Sequence, residues 1–151
     1  MPRRRSNLKA KGINAERELV HLFHSFAWSA VRIAGSGSSK YPCPDVLAGN
    51  GFRRIAIEAK LISASRKYFT PEDLEQLAVF ASTFGCEAWI AVKFPDTPWA
   101  FFNPEDLQET ATAYVATKEL AERKGLLIEE LLEVDSLVET KDVSEPCSLD
   151  I

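Results

Sequence analysis

Residues 44–60 read Pro44-Asp45-Val46-Leu47-Ala48-Gly49-Asn50-Gly51-Phe52-Arg53-Arg54-Ile55-Ala56-Ile57-Glu58-Ala59-Lys60. Two apolar runs flank Asn50-Gly51, the dipeptide that primed hairpin turns favour, so the stretch predicts strand, tight turn, strand. A strand sends alternate side chains to opposite faces. Arg53, Ile55, Ile57 and Ala59 therefore share one face, and Arg54, Ala56, Glu58 and Lys60 the other. If the first face meets the core, the second presents a carboxylate beside an ammonium, with small Ala56 leaving room next to them. The hairpin also brings Asp45, at the start of the first strand, back toward the end of the second. Two carboxylates converging on one spot suit a hard divalent cation such as magnesium, which prefers oxygen ligands and keeps several waters. Lys60 then fits as a group that orients or deprotonates a water and offsets charge on phosphorus. Short acidic and basic residues also recur by chance, so the triplet alone reads equally well as a turn residue followed by a solvent-facing strand.

The flanking segments add to this. From Gly12 to Ala27 the apolar residues Ile13, Leu19, Val20, Phe23, Phe26 and Ala27 recur at helical spacing, and Glu16 falls within the stripe formed by Ile13, Leu19, Val20 and Phe23. A carboxylate there needs a cation or a hydrogen-bond network, because an unpaired one costs several kcal/mol. A structural pair with Arg17 or Arg32 meets that need as well as a metal does. Ala30 to Ala34 is a strand candidate, and the Gly/Ser-rich residues 35–44 form a loop. Residues 61–70 read as a polar connection. Thr70-Pro71-Glu72-Asp73 opens a helix with Thr70 as cap and Asp73 facing back toward it, and Gly85 closes that helix. Glu87 to Lys93 and Trp99 to Phe102 are two further strands. After Asn103 the pattern weakens to short helical pieces at 120–124 and 126–132. The order helix, three strands, helix, two strands predicts an α/β fold with a mixed sheet.

The chain has 151 residues, the length of one domain, and no apolar run approaches a membrane span. Three scattered cysteines without a C-x-x-C pair suit a reducing cytoplasm rather than a disulfide framework. His21 and His24 lack a third ligand and read as a solvated helix face. The net charge of −4 hides an asymmetry: residues 1–70 carry 13 Lys/Arg against 4 Asp/Glu, and residues 71–151 carry 5 against 18. A polyanion reads charge within a Debye length, about 8–10 Å, so a basic half can hold nucleic acid despite an acidic total. Three regions are expected: a basic flexible arm at 1–11, a body at 12–134 and an acidic, disordered tail at 135–151.

KGINAERELV (11–20), VRIAGSGSS (31–39), PDVLAGNG (44–51), IEAK (57–60) and FASTFGCEAWIAVKF (80–94) together resemble the archaeal Holliday-junction resolvases, a branch of the PD-(D/E)xK nucleases. The likeness runs from Lys11 to Phe102. It implies a restriction-endonuclease-like fold, a central mixed β-sheet flanked by helices. It also implies a two-fold homodimer and magnesium-dependent paired nicking of four-way junction DNA in recombination and repair, with manganese able to substitute. The family's catalytic residues fall on Glu16, Asp45, Glu58 and Lys60, and its mobile serine loop on Ser36 to Ser39, which adds Ser36 to the catalytic set. Glu16, Asp45 and Glu58 are the implied metal ligands. Arg17, Arg32, Ser38, Lys40, Arg53, Arg54, Arg66 and Lys67 are the candidate DNA contacts, and the acidic tail is a candidate site for a protein partner. A nuclease acting on other branched or nicked DNA, and an inactive DNA-binding subunit, are the alternatives.

Overall fold

The computed structural model describes residues 3–133. The acidic tail expected at 135–151 lies outside them. Helix α1 spans Arg3–Ser25 and is followed by strands β1 (Ser29–Arg32), β2 (Val46–Gly49), β3 (Arg54–Leu61) and β4 (Arg66–Phe69). Then come α2 (Pro71–Phe84), β5 (Glu87–Lys93), β6 (Trp99–Phe102), β7 (Gln108–Glu109), β8 (Tyr114–Thr117) and α3 (Lys118–Lys124).

Five strands form the main sheet in the order β1-β2-β3-β5-β6. Only β3 and β5 run parallel, joined by the crossover that carries β4 and α2, so the sheet is mixed as expected. Alternation along the central strands assigns each residue to one of two cores. Ile55, Ile57 and Ala59 of β3, with Trp89 and Ala91 of β5, pack against Leu19 and Phe23 of α1. Ala56 of β3, with Ile90 and Val92 of β5, packs under Leu74 and Leu77 of α2. Ala56 is fully buried, so it is part of this second core and not open space beside Glu58. Glu58 and Lys60 occupy the same face as Ala56, further along β3, where Asp73 and Gln76 in the first turns of α2 share a cleft with them.

Several local expectations need correction. The apolar periodicity begins at Gly12, yet α1 begins at Arg3, so residues 3–11, read as a flexible arm, are helical. Lysine, arginine, leucine and alanine are good helix formers, and propensity extends the helix where no apolar stripe requires it. The turn between β2 and β3 has four residues, because Gly49 pairs with Arg54. Asn50 Oδ1 accepts from the N–H groups of Phe52 at 2.9 Å and Arg53 at 2.7 Å, and only Gly51 takes a positive φ, of 95°. Residues 66–69, read as connection, form β4, which pairs with β8 in a second sheet of order β4-β8-β7. α2 matches its sequence signals: Thr70 and Asp73 form a reciprocal capping box, and Gly85 ends the helix at φ 87°.

Arg53, one of the candidate DNA contacts, is engaged within the fold. Its Nε and Nη2 donate to Glu87 Oε2 and Oε1 at 2.8 and 2.9 Å, its Nη1 donates to the Leu131 carbonyl at 2.8 Å, and its guanidinium lies 5.7 Å from the Trp28 ring. The side chain is 15% exposed and ties the start of β3 to the start of β5 and to the helical turn at 128–133. Burial raises the Glu87 carboxyl, but the hydrogen bonds from Arg53 and Trp89 and the Arg53 charge outweigh it and bring Glu87 below its ordinary 4.5. A depressed carboxyl adds stability that is present above its ordinary value and lost as pH falls through the folded one. Arg53→Ala is therefore expected to destabilise the fold by about 2 kcal/mol near neutral pH, as measured by denaturant unfolding. The difference from wild type should shrink below about pH 4, and Arg53→Lys should not restore the bidentate contact. Unfolding curves that coincide at pH 7 would show that Arg53 is not a structural tie.

Candidate active site

Asp45 is 7% exposed, the buried charged side chain among the described residues. It stands just ahead of β2, its N–H donating to the Ile57 carbonyl at 3.0 Å and its carbonyl accepting from the Ile33 N–H at 2.9 Å. The backbone is thus held on both sides, by β3 and by the chain leaving β1. The carboxylate is held as well. Oδ1 accepts from Ser36 Oγ at 2.7 Å and Oδ2 from the Ala59 N–H at 2.9 Å. Ser36 comes from the Gly/Ser loop, where Gly35 at φ 70° leads into a 3-10 turn over Ser36–Ser38.

Glu58 and Lys60 lie two residues apart on one face of β3, with Lys60 Nζ 2.6 Å from Glu58 Oε1. Burial, and then the charge of Asp45, raise the Glu58 carboxyl above its ordinary value, with Lys60 opposing them. Burial would lower the Lys60 ammonium, but Glu58, then Asp45 and Asp73, outweigh it and raise it. Asp45, Glu58 and Lys60 open onto one polar cleft of about 400 Å³, together with Ser36 and Lys40 of the loop and Asp73 and Gln76 of α2.

Glu16 stands at the margin of this group. Arg32 Nη1 donates to its Oε2 at 3.3 Å, and both side chains are mostly buried. Burial, and then the charge of Asp45, raise its carboxyl, while Arg32 and Lys60 oppose them. Glu16 is close enough to feel Asp45 and Lys60 but does not line the cleft. Among the described residues no three Asp, Glu, His or Cys side chains are placed to share one ion. Glu16 therefore stands beside Asp45 and Glu58 without forming one cluster with them, and it is paired to Arg32.

Asp45 and Glu58 fit a hard divalent cation. Each Asp45 oxygen spends one lone pair on Ser36 or Ala59 and keeps another, and two carboxylates with waters and a phosphate make a sufficient donor set for magnesium. The burial that raises Glu58 beside Asp45 is the condition that a bound cation relieves.

The remaining candidates divide. Arg17 is exposed on α1, and Lys40 lies at the mouth of the cleft with its Nζ 5.7 Å from the Tyr41 ring. Ser38 Oγ donates to the Gly35 carbonyl at 3.2 Å, within the loop. Arg66 is exposed with its Nη1 3.4 Å from the Tyr68 hydroxyl, and Lys67 is half-buried. Arg54 Nε donates to the Gly85 carbonyl at 3.0 Å. It stands at the start of β3, six residues and about 20 Å from Lys60, and so belongs to the opposite end of the sheet. Asp73 and Gln76 were missed as cleft residues. Their spacing marks one face of α2, but nothing local says that this face returns to Glu58.

The family described as archaeal Holliday junction resolvase (Hjc) matches residues 7–140. The chain is 38% identical over 130 residues to a crossover junction endodeoxyribonuclease Hjc of Archaeoglobus fulgidus, covering 82% of this chain and 96% of that one. It is 37% identical over 101 residues to a crossover junction endodeoxyribonuclease Hje of Sulfolobus acidocaldarius, covering 65% and 73%. A solved structure of Archaeoglobus fulgidus Hjc, a Holliday junction resolvase from an archaeal hyperthermophile, superimposes with a TM-score of 0.74 at 37% identity over 80% of this chain and 98% of that one. Sequence and fold agree over most of the chain's length, and this chain belongs to the archaeal Holliday junction resolvase family.

Proposed function

We propose that this chain is a structure-selective endodeoxyribonuclease that resolves four-way DNA junctions, hydrolysing phosphodiesters with a divalent cation held by Asp45 and Glu58. The observation that carries the reading is the convergence of Asp45, Glu58 and Lys60 on one polar cleft in a member of this family. The donors are hard oxygens, which argues for magnesium, with manganese as its substitute. When bound, such a cation polarises the scissile phosphate and makes water a better nucleophile. The chain's own residues do the rest. Ser36 and the Ala59 N–H hold the Asp45 carboxylate in one orientation, so that no reorganisation is needed on binding. Glu58 supplies the second carboxylate, and the Lys60 ammonium offsets negative charge that builds on the phosphate oxygens. Glu16, paired to Arg32 at 3.3 Å, borders the site, where it fixes the Arg32 guanidinium and adds negative charge near Asp45. Arg17, Arg32, Ser38, Lys40, Arg66 and Lys67 are the proposed DNA contacts, reading backbone and junction shape more than base edges.

A four-way junction has two-fold symmetry, so a two-fold dimer presents equivalent sites to its two like strands. We place the dimer interface on the outer face of α2. Val79 and Phe84 are exposed there, 49% and 57%, Phe80 stacks on Phe84 at 5.2 Å, and Pro42 extends the apolar surface to the rim of the cleft. Among the described residues no helix is long and apolar enough to cross a membrane, and we place the enzyme's work in the cytoplasm.

Cleavage of a synthetic four-way junction, compared with its linear duplex arms and with and without magnesium, tests the function. Junction cutting that needs the metal is expected. Asp45→Asn and Glu58→Gln should each abolish cutting while keeping or improving junction binding, because each removes a ligand and a negative charge. Near wild-type cutting by either variant would mean that the site is misplaced. Glu16→Gln should lower the cutting rate by roughly 10²-fold or more with a melting temperature close to wild type, whereas Glu18→Gln, on the exposed Lys93 pair, should change neither. Early melting with normal cutting per folded molecule would make Glu16 purely structural. For the interface, Phe84→Glu is expected to yield monomers by light scattering at micromolar concentration and to uncouple the two cuts. A Phe84→Glu dimer would move the interface elsewhere.

A further inference from the structure

Lys60 rests against Glu58 at 2.6 Å, and Glu58 is the carboxylate that a divalent cation needs. A cation at Asp45 and Glu58 therefore takes away the lysine's nearest partner and puts a dication beside its ammonium. The ammonium stays in the cleft only if another anion receives it. Asp45 is already bonded to Ser36 and Ala59 and is itself the other ligand, and Glu16 is held by Arg32 away from the cleft lining. Asp73 lines the cleft from the first turn of α2. Its carboxylate does not sweep freely, because Oδ2 accepts from the Thr70 N–H at 3.0 Å while Thr70 Oγ1 accepts from the Asp73 N–H at 3.1 Å. One oxygen is spent on the cap and the other is left for the cleft. The Asp73 charge also reaches both members of the pair: burial, then Glu58 and Asp45, come before it at Lys60, and burial, Asp45 and Lys60 come before it at Glu58.

We propose that Asp73 is a positioning residue for Lys60, receiving its ammonium when Glu58 turns to the cation, so that the α2 cap and the catalytic cleft share one carboxylate. This rests on the reading of the cleft as a metal-dependent nuclease site. It makes the lysine an exchangeable competitor for Glu58, with Asp73 setting how easily it leaves.

The test is a calorimetric titration of the full-length protein with Mn²⁺ in the absence of DNA, for wild type, Asp73→Asn, Lys60→Met and the double variant. Asp73→Asn keeps an amide oxygen that can accept from the Thr70 N–H, so thermal unfolding should stay at the wild-type temperature. Its Mn²⁺ affinity should fall by roughly tenfold, somewhat more than an exposed ion pair contributes, because Lys60 stays on Glu58. Lys60→Met keeps the packing of the stem and removes the competitor, so adding Asp73→Asn to it should change the affinity by less than about twofold. Unchanged Mn²⁺ affinity in Asp73→Asn overturns the proposal. An equal loss in the Lys60→Met background also overturns it, by placing Asp73 on the cation and not on the lysine. Wild-type protein that binds no Mn²⁺ would instead remove the metal reading of the cleft, and this inference with it.

Discussion

The carboxylate of Asp45 is the point on which the site depends. A buried charge is tolerated only when its lone pairs are occupied, and here a serine from a mobile-looking loop sequence and a backbone amide from the central strand occupy one on each oxygen. Those two hydrogen bonds join three pieces of chain that are not adjacent in sequence: the 3-10 turn at Ser36–Ser38, the entry to β2 and the end of β3. Loop conformation, strand register and ligand orientation are in this way set together. A slip of one residue in the β2–β3 pairing would point Glu58 and Lys60 into the α1 core and the isoleucines into the cleft.

The two cores explain why the chemistry lies at one end of β3. Odd-numbered residues of this strand face α1 and even-numbered ones face α2. Ala56, deep under α2, is small because helix and sheet meet there. Two and four residues on, the same face opens onto the polar cleft under the first turns of α2 and carries charge. The tie at the other end, from Arg53 to Glu87, Leu131 and Trp28, fixes the start of the strand. The end of β3 that carries Glu58 and Lys60 is thus part of an element anchored at its base, which gives the preorganisation that the proposed charge stabilisation at a phosphate requires.

What could be read in the chain was what local chemistry decides. Thr70, Pro71, Asp73 and Gly85 mark both ends of α2 because caps are short-range, and alternation in β3 correctly separates Glu58 and Lys60 from Ile55 and Ile57. What escaped depends on partners far away in sequence. β4 contains Arg66, Lys67 and Tyr68, has little strand signal, and forms because Tyr68 pairs with Val115. Arg53 reads locally as a surface cation, and its partner Glu87 lies 34 residues on. Glu16 is legible as a carboxylate needing a partner, with Arg17 and Arg32 both candidates, and the position of β1 beside α1 selects Arg32. Asp73 was legible as a cap, while its place in the cleft follows only from the way the crossover returns α2 to the sheet.

In the proposed mechanism Asp45 and Glu58, and neither histidine, hold the divalent cation at the cleft. Crystals of the protein grown with Mn²⁺ and measured at the manganese absorption edge test it most directly. One anomalous peak is expected in the cleft, within bonding distance of an Asp45 oxygen and a Glu58 oxygen, with the Lys60 ammonium moved off Glu58. A peak on His21 or His24, on Glu16 without Asp45, or at no carboxylate of the cleft would contradict it.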